Sequence, residues 1–156
     1  MPVEDLYQAI ILDHSRRPRN FGPLADADHE ASGRNPLCGD EVTLRIRMDG
    51  DTIADVRFEG SGCAISKASA SVMTAAVKGH TGEEALVLFE RFHHLLTNHA
   101  ATAPEPADTP LPSSLAAFAG VARFPMRVKC ASLAWHALRS ALQSPNATAE
   151  APPPNR

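Results

Sequence analysis

The sequence predicts an α+β fold: a small antiparallel β-sheet of about three strands packed against several α-helices. Three observations predict it. Residues 41–48 alternate Val42, Leu44, Ile46 and Met48 with Thr43, Arg45 and Arg47, and a period of two gives a strand one buried and one wet face. Asp49-Gly50 is a hairpin turn signal, after which residues 52–59 return with Val56 and Phe58 on one side. An antiparallel sheet with one polar face needs helices on the other, and the later segments with helical spacing supply them.

In chain order, residues 3–16 place Leu6, Ala9, Ile10 and Leu12 along a rough helical stripe. That helix stops near Arg16-Arg17, because Pro18 disfavours the helical region for its predecessor. Residues 14–23 form a basic, turn-rich exit, either a solvated loop or a surface for docking a partner. A short strand is predicted over 28–34. Ile53 falls out of register with Val56 and Phe58, so the return strand carries a bulge or starts at Ala54. Ser66 is predicted to cap a helix that runs to about Lys78 and ends at Gly79. Thr81 and Glu84 form a capping box that launches the next helix, with Leu86, Phe89 and Leu96 on its inner side. Residues 100–112 are rich in Pro, Ala and Thr and read as an exposed loop; Ser113 or Ser114 then caps a short helix ending at Gly120. The last helix starts at Pro125 or Met126 and runs to about Gln143, with Cys130, Leu133, Ala134, Ala137, Leu138 and Ala141 on its apolar face. Residues 144–156 contain four prolines and no large apolar side chain, so they read as a disordered tail behind a single domain spanning 1–143.

The 156 residues suffice for one hydrophobic core. Fifteen basic against 18 acidic residues give a net charge of −3, without the basic, aromatic-interleaved stripe that nucleic acid requires. No apolar run is long enough for a membrane span and no secretory leader opens the chain. The expected location is therefore cytoplasmic, and three widely separated cysteines fit a reducing compartment better than a disulfide framework.

Those cysteines carry the chemistry. Cys38 and Asp40 stand one residue apart in the turn Asn35-Pro36-Leu37-Cys38-Gly39-Asp40, Cys63 follows Gly60-Ser61-Gly62, and Cys130 opens the last helix. Three thiols and one carboxylate form a four-coordinate set of the kind zinc takes. A lone cysteine on an apolar helix face is ordinarily core, which is the bland reading of Cys130. Cys38 and Cys63, however, lie in glycine-flanked turns with little apolar periodicity to join, and thiols at helix starts are favoured as thiolates. Structural zinc sites are usually built from CxxC knuckles, and none is present. A CxD pair makes a poor knuckle but an exchangeable one. The seven histidines, including His80, His93, His94, His99 and His136, have no metal-like spacing to a cysteine on a common face and read as surface or core residues.

The runs Leu6-Tyr7, Asp13-His14, Pro18-Arg19-Asn20, residues 35–40, Gly62-Cys63-Ala64-Ile65-Ser66 and Arg127-Val128-Lys129-Cys130 together resemble the U-type iron–sulfur assembly proteins over roughly residues 4–143. Lys129, where the IscU-type scaffolds carry a histidine, and the extended segment 97–114 resemble the SufU branch. The resemblance implies a SufE/NifU-like α+β fold and a zinc-dependent sulfur acceptor that works with a SufS-type cysteine desulfurase and downstream iron–sulfur assembly proteins. It implies that Cys38, Asp40, Cys63 and Cys130 bind Zn2+ and that Cys38 receives the sulfur, freed when a histidine of the partner takes its place. Arg127 would assist by pairing with Asp40 or by steadying the exchanged state, and its other reading is an ordinary helix-start arginine. Two other readings remain open: a scaffold on which iron or a [2Fe–2S] cluster is held by the same cysteines, and an adaptor whose zinc only pins the turns.

Overall fold

The computed structural model describes residues 3–35, 39–97, 115, 118, 121, 124–143 and 147–150. Among these residues four helices and four strands follow in the order α1 (Val3–Arg16), β1 (His29–Asn35), β2 (Asp40–Asp49), β3 (Thr52–Ser61), α2 (Ala64–Val77), α3 (Gly82–Thr97), α4 (Pro125–Gln143) and β4 (Ala147–Glu150). The sheet order is β3-β2-β1-β4, with β1, β2 and β3 antiparallel and β4 parallel to β1. Among the described residues no helix is long and apolar enough to cross a membrane.

The period of two holds across the sheet. Val42, Leu44 and Ile46 are buried, as are Ala31, Gly33 and Asn35 beside them on β1. On the wet face Arg45 spans three strands, reaching Glu30 on β1 and Glu59 on β3. The hairpin closes from Asp49 to Thr52, with Gly50 at φ +62°. The expected bulge is present, although the strand starts at Thr52 rather than Ala54. Arg47 pairs with Asp55 and Met48 with Ile53, so Ala54 is the extra residue. Its physical reason is plain: Ile53 and Val56 are three apart, and only an inserted residue lets both be completely buried.

Helix α2 lies along the inner face and is pinned to the exit of α1 by small polar side chains. Ser71 Oγ bonds His14 Nδ1 at 2.8 Å and accepts the Arg19 amide at 2.7 Å, while Thr74 Oγ1 accepts from Asn20 Nδ2 at 3.1 Å. The same exit loop covers the outer edge of β3, with Gly22 N–H donating to the Phe58 carbonyl and Phe58 N–H to that of Asn20. The capping box of α3 is reciprocal, Thr81 N–H to Glu84 and Glu84 N–H to Thr81. Its inner face is Ala85, Leu88, Phe89, Phe92 and Leu96; Leu86, expected there, is only half-buried.

Helix α4 occupies the centre and is buried continuously from Lys129 to Leu138. It packs on α2, on the sheet and on α3 at once, which explains why its burial exceeds the single apolar stripe expected. Trp135 stacks on Phe92 with centroids 4.8 Å apart, and Phe92 meets Phe118 edge-on. Full burial of each such side chain contributes about 2–3 kcal/mol. The loop expected over 100–112 lies outside the described residues. So does most of the short helix expected to end at Gly120, although Leu115 and Phe118 are completely buried. The tail expected from 144 onward is corrected at 147–150, where the backbone pairs as β4.

His136 sits in the α3–α4 contact, edge-on to Phe89 and 6.0 Å from His93 by ring centroids. Burial, then the charges of Arg139 and His93, lowers its pKa from 6.5 to about 4. Because the unfolded chain takes the proton more readily, this contribution to stability is complete above pH 6.5 and is lost as pH falls from 6.5 towards 4. Urea unfolding at pH 7 and pH 4.5 is expected to differ by about 2 kcal/mol from this group alone. His136→Phe is expected to remove that part of the pH dependence; an unchanged profile would show that the ring is charged in the folded state.

Candidate metal centre

Three elements meet at one end of the sheet. Asp40 opens β2 opposite Asn35, the last residue of β1. The Gly39 amide donates to the Asn35 carbonyl at 2.8 Å. Cys63 follows β3 and caps α2, and Cys130 lies in the second turn of α4. The donor atoms of Asp40, Cys63 and Cys130 all lie within 4.8 Å of one another. Cys38, the fourth member expected from the sequence, lies outside the described residues.

Cys63, not the expected Ser66, is the cap of α2. Its backbone is extended (φ −71°, ψ 168°) and its sulfur accepts the Ser66 amide at 3.4 Å. Cysteine is an unusual residue for this position. Here the amides at the helix start do what they do for any capping acceptor, and they favour a negative sulfur. Asp40 is 2% exposed, and one of its oxygens, Oδ1, accepts the Cys63 amide at 3.0 Å. The other, Oδ2, is 3.8 Å from Cys63 Sγ. Two ligands of a tetrahedral zinc, with bonds of about 2.0–2.3 Å, stand about 3.3–3.8 Å apart. The residues present therefore fit zinc by donor type and by spacing.

The two thiols are unequal. Cys63 is drawn down to about pKa 6, chiefly by the hydrogen bond it receives from the Cys130 thiol, with help from the Ser66 and Ile65 amides and against desolvation and the Asp40 charge. Cys130 is pushed up, first because it is the donor in that bond and then by burial and by Asp40. The two shifts favour the negative charge on Cys63 and the proton on Cys130. A cation would relieve the repulsion between Asp40 and Cys63 and release the Cys130 proton.

Arg127 is brought to the same end of α4 but is exposed, its guanidinium 4.6 Å from the centre of the Phe124 ring. Lys129, beside Cys130, is buried. Gly62 is the residue whose role the sequence did not disclose: a Cβ there would stand 2.7 Å from Asp40 Oδ1. Its only signal was its place between Gly60 and Cys63, which reads as turn chemistry. The bare position next to a carboxylate is visible only when β2 and β3 are side by side.

The NifU-like N-terminal domain family matches this chain over residues 6–147. The zinc-dependent sulfurtransferase SufU of Bacillus subtilis is 41% identical over 136 residues, covering 87% of this chain and 88% of that protein. The iron–sulfur cluster assembly scaffold protein IscU of Streptococcus pyogenes serotype M1 is 43% identical over 141 residues, 90% of this chain and 85% of that one. The crystal structure of a protein assigned as the iron–sulfur cluster assembly scaffold of the SUF system (FiSufU) from Fervidobacterium islandicum AW-1 superposes with a TM-score of 0.78 at 36% identity, covering 90% of this chain and 98% of that one.

Proposed function

The chain belongs to the NifU-like N-terminal domain family, and from that premise we propose that it is a zinc-dependent sulfur acceptor serving iron–sulfur cluster assembly. Its sulfur donor is a persulfide on a SufS-type cysteine desulfurase, and its product passes to downstream assembly proteins. The observation that carries the reading is the convergence of Asp40, Cys63 and Cys130 from β2, the start of α2 and the start of α4. Mixed carboxylate and thiolate donors suit a single zinc ion. Cys38, two residues before Asp40 in the sequence, completes the set.

Zinc, when bound there, supplies the positive charge that keeps its thiols deprotonated and shielded from oxidation. The chain's own residues do the rest. Cys38 is the nucleophile: its thiolate attacks the terminal sulfur of the donor persulfide. The donor S–S bond breaks, a new S–S bond forms to Cys38, and the donor leaves as a thiolate, so no oxidant is consumed. Asp40 is held still by the Cys63 amide, and its carboxylate is the harder, more weakly matched member of the set. Arg127, exposed on the rim, is free to approach a docked partner or Asp40.

Metal content of the purified protein tests this, for the wild type and for Asp40→Ala. About one zinc per chain and negligible iron is the expected result, with the alanine variant holding zinc at least ~10-fold more weakly. Iron with matching sulfide would favour the cluster scaffold, the function named for the Streptococcus relative. Absence of any metal would overturn the site.

A further inference from the structure

Strand β1 is built from residues that pair poorly by themselves. Its sequence, His-Glu-Ala-Ser-Gly-Arg-Asn, contains no β-branched or aromatic residue. Its inward positions Ala31 and Gly33 add little packing, and Gly33 has no room for more. A Cβ there would meet Leu133 Cδ1 at 3.2 Å and Val42 Cγ1 at 3.3 Å. Side-chain bonds tie β1 to Arg45, Thr43 and the Ala141 carbonyl through Glu30, Ser32 and His29, and the rest of its hold is backbone pairing. On one side β2 pairs with it from His29 to Asn35. On the other, β4 pairs in parallel, Ala31 with Ala147, Ser32 with Thr148, Gly33 with Ala149 and Arg34 with Glu150. This second ladder stops one residue short of Asn35, which opposes Asp40 and accepts the Gly39 amide. The helix that brings Cys130 to the centre at its start thus delivers, beyond its end, a strand that secures the opposite wall. The family match ends at residue 147, so β4 lies at and beyond the family's limit.

We propose that β4 is a positioning strap: by pairing along β1 it holds the strand end that faces Asp40, and so sets how tightly the centre keeps its metal. This rests on the zinc reading above. Removing the strap leaves β1 as a bare edge, paired on one side, directly beside the site.

The test is Thr148→Pro with Ala149→Pro in the full chain. Successive residues of a strand point their amides to opposite sides, so one of the two prolines must delete a donor facing β1. Zinc affinity is read by competition with a chromophoric chelator, and β1 by hydrogen exchange. Expected are about 10-fold weaker zinc binding and about 10-fold faster exchange at residues 31–35 and 40, with protection at 42–46 unchanged. A chain ending at Glu150 should match the wild type. A chain ending at Gln143 should match the double proline variant, and it decides the matter if the prolines prevent folding. Unchanged exchange on β1 would overturn the pairing, and faster exchange with zinc affinity within twofold would overturn the positioning role. A wild-type protein that binds no zinc would instead overturn the functional reading, while the exchange data would still decide whether β4 holds β1.

Discussion

Cys38→Ser is expected to abolish sulfur acceptance, by at least ~100-fold, in a protein that still folds and still carries its other three donors. A hydroxyl at this position is neither ionised near neutral pH nor able to hold a sulfur as a persulfide, so the loss is chemical rather than structural. The measurement is anaerobic incubation with the desulfurase and free cysteine, followed by intact-mass detection of one added sulfur atom. Circular dichroism and the thermal midpoint of the metal-free protein provide the folding control, and Asp40, Cys63 and Cys130 should retain some affinity for zinc because their geometry is set by β2, α2 and α4. Sulfur appearing on the serine variant at the wild-type level would move the acceptor to Cys63 or Cys130. A fall in stability that matched the fall in activity would favour the adaptor, in which the metal only pins the turns.

Gly62→Ala is expected to weaken zinc by about 10- to 100-fold while the metal-free protein loses no more than about 1 kcal/mol. The added Cβ would stand 2.7 Å from Asp40 Oδ1, 3.1 Å from Cγ and 3.3 Å from Cβ. Asp40 is buried, so its carboxylate must swing away and give up the Cys63 amide. Gly60 is the contrasting position. There φ is +151° and a Cβ would stand 2.1 Å from the Glu41 carbonyl oxygen, so alanine would disrupt the β2–β3 ladder itself and report on folding. Calorimetric zinc titration of Gly62→Ala beside Asp40→Ala makes the comparison sharp. Equal losses in the two variants would place the carboxylate on the metal, whereas wild-type affinity in Gly62→Ala would remove Asp40 from the ligand set.

The elements were legible because each is written in local periodicity. Val42, Leu44 and Ile46 had to share a face, Ile53 had to be out of step with Val56, and Thr81 with Glu84 had to start a helix, since backbone geometry fixes those relations within a few residues. The list of chemically competent side chains was legible for a similar reason: a thiol in a glycine-flanked turn has no packing role to explain it. Three matters were not local. Cys63 rather than Ser66 capped α2, because the end of β3 sets where the helix starts. Residues 147–150 formed a strand despite a composition that reads as tail, because β1 offered them an unpaired edge. Convergence was the third: Asp40, Cys63 and Cys130 are far apart in sequence, and only the packing of α2 and α4 against the strands brings their donor atoms within 4.8 Å. By itself the sequence named the candidate donor atoms and the segments that carry them. Whether those atoms meet depends on burial of α4 between α2 and the sheet, a contact between distant parts of the chain that no local pattern encodes.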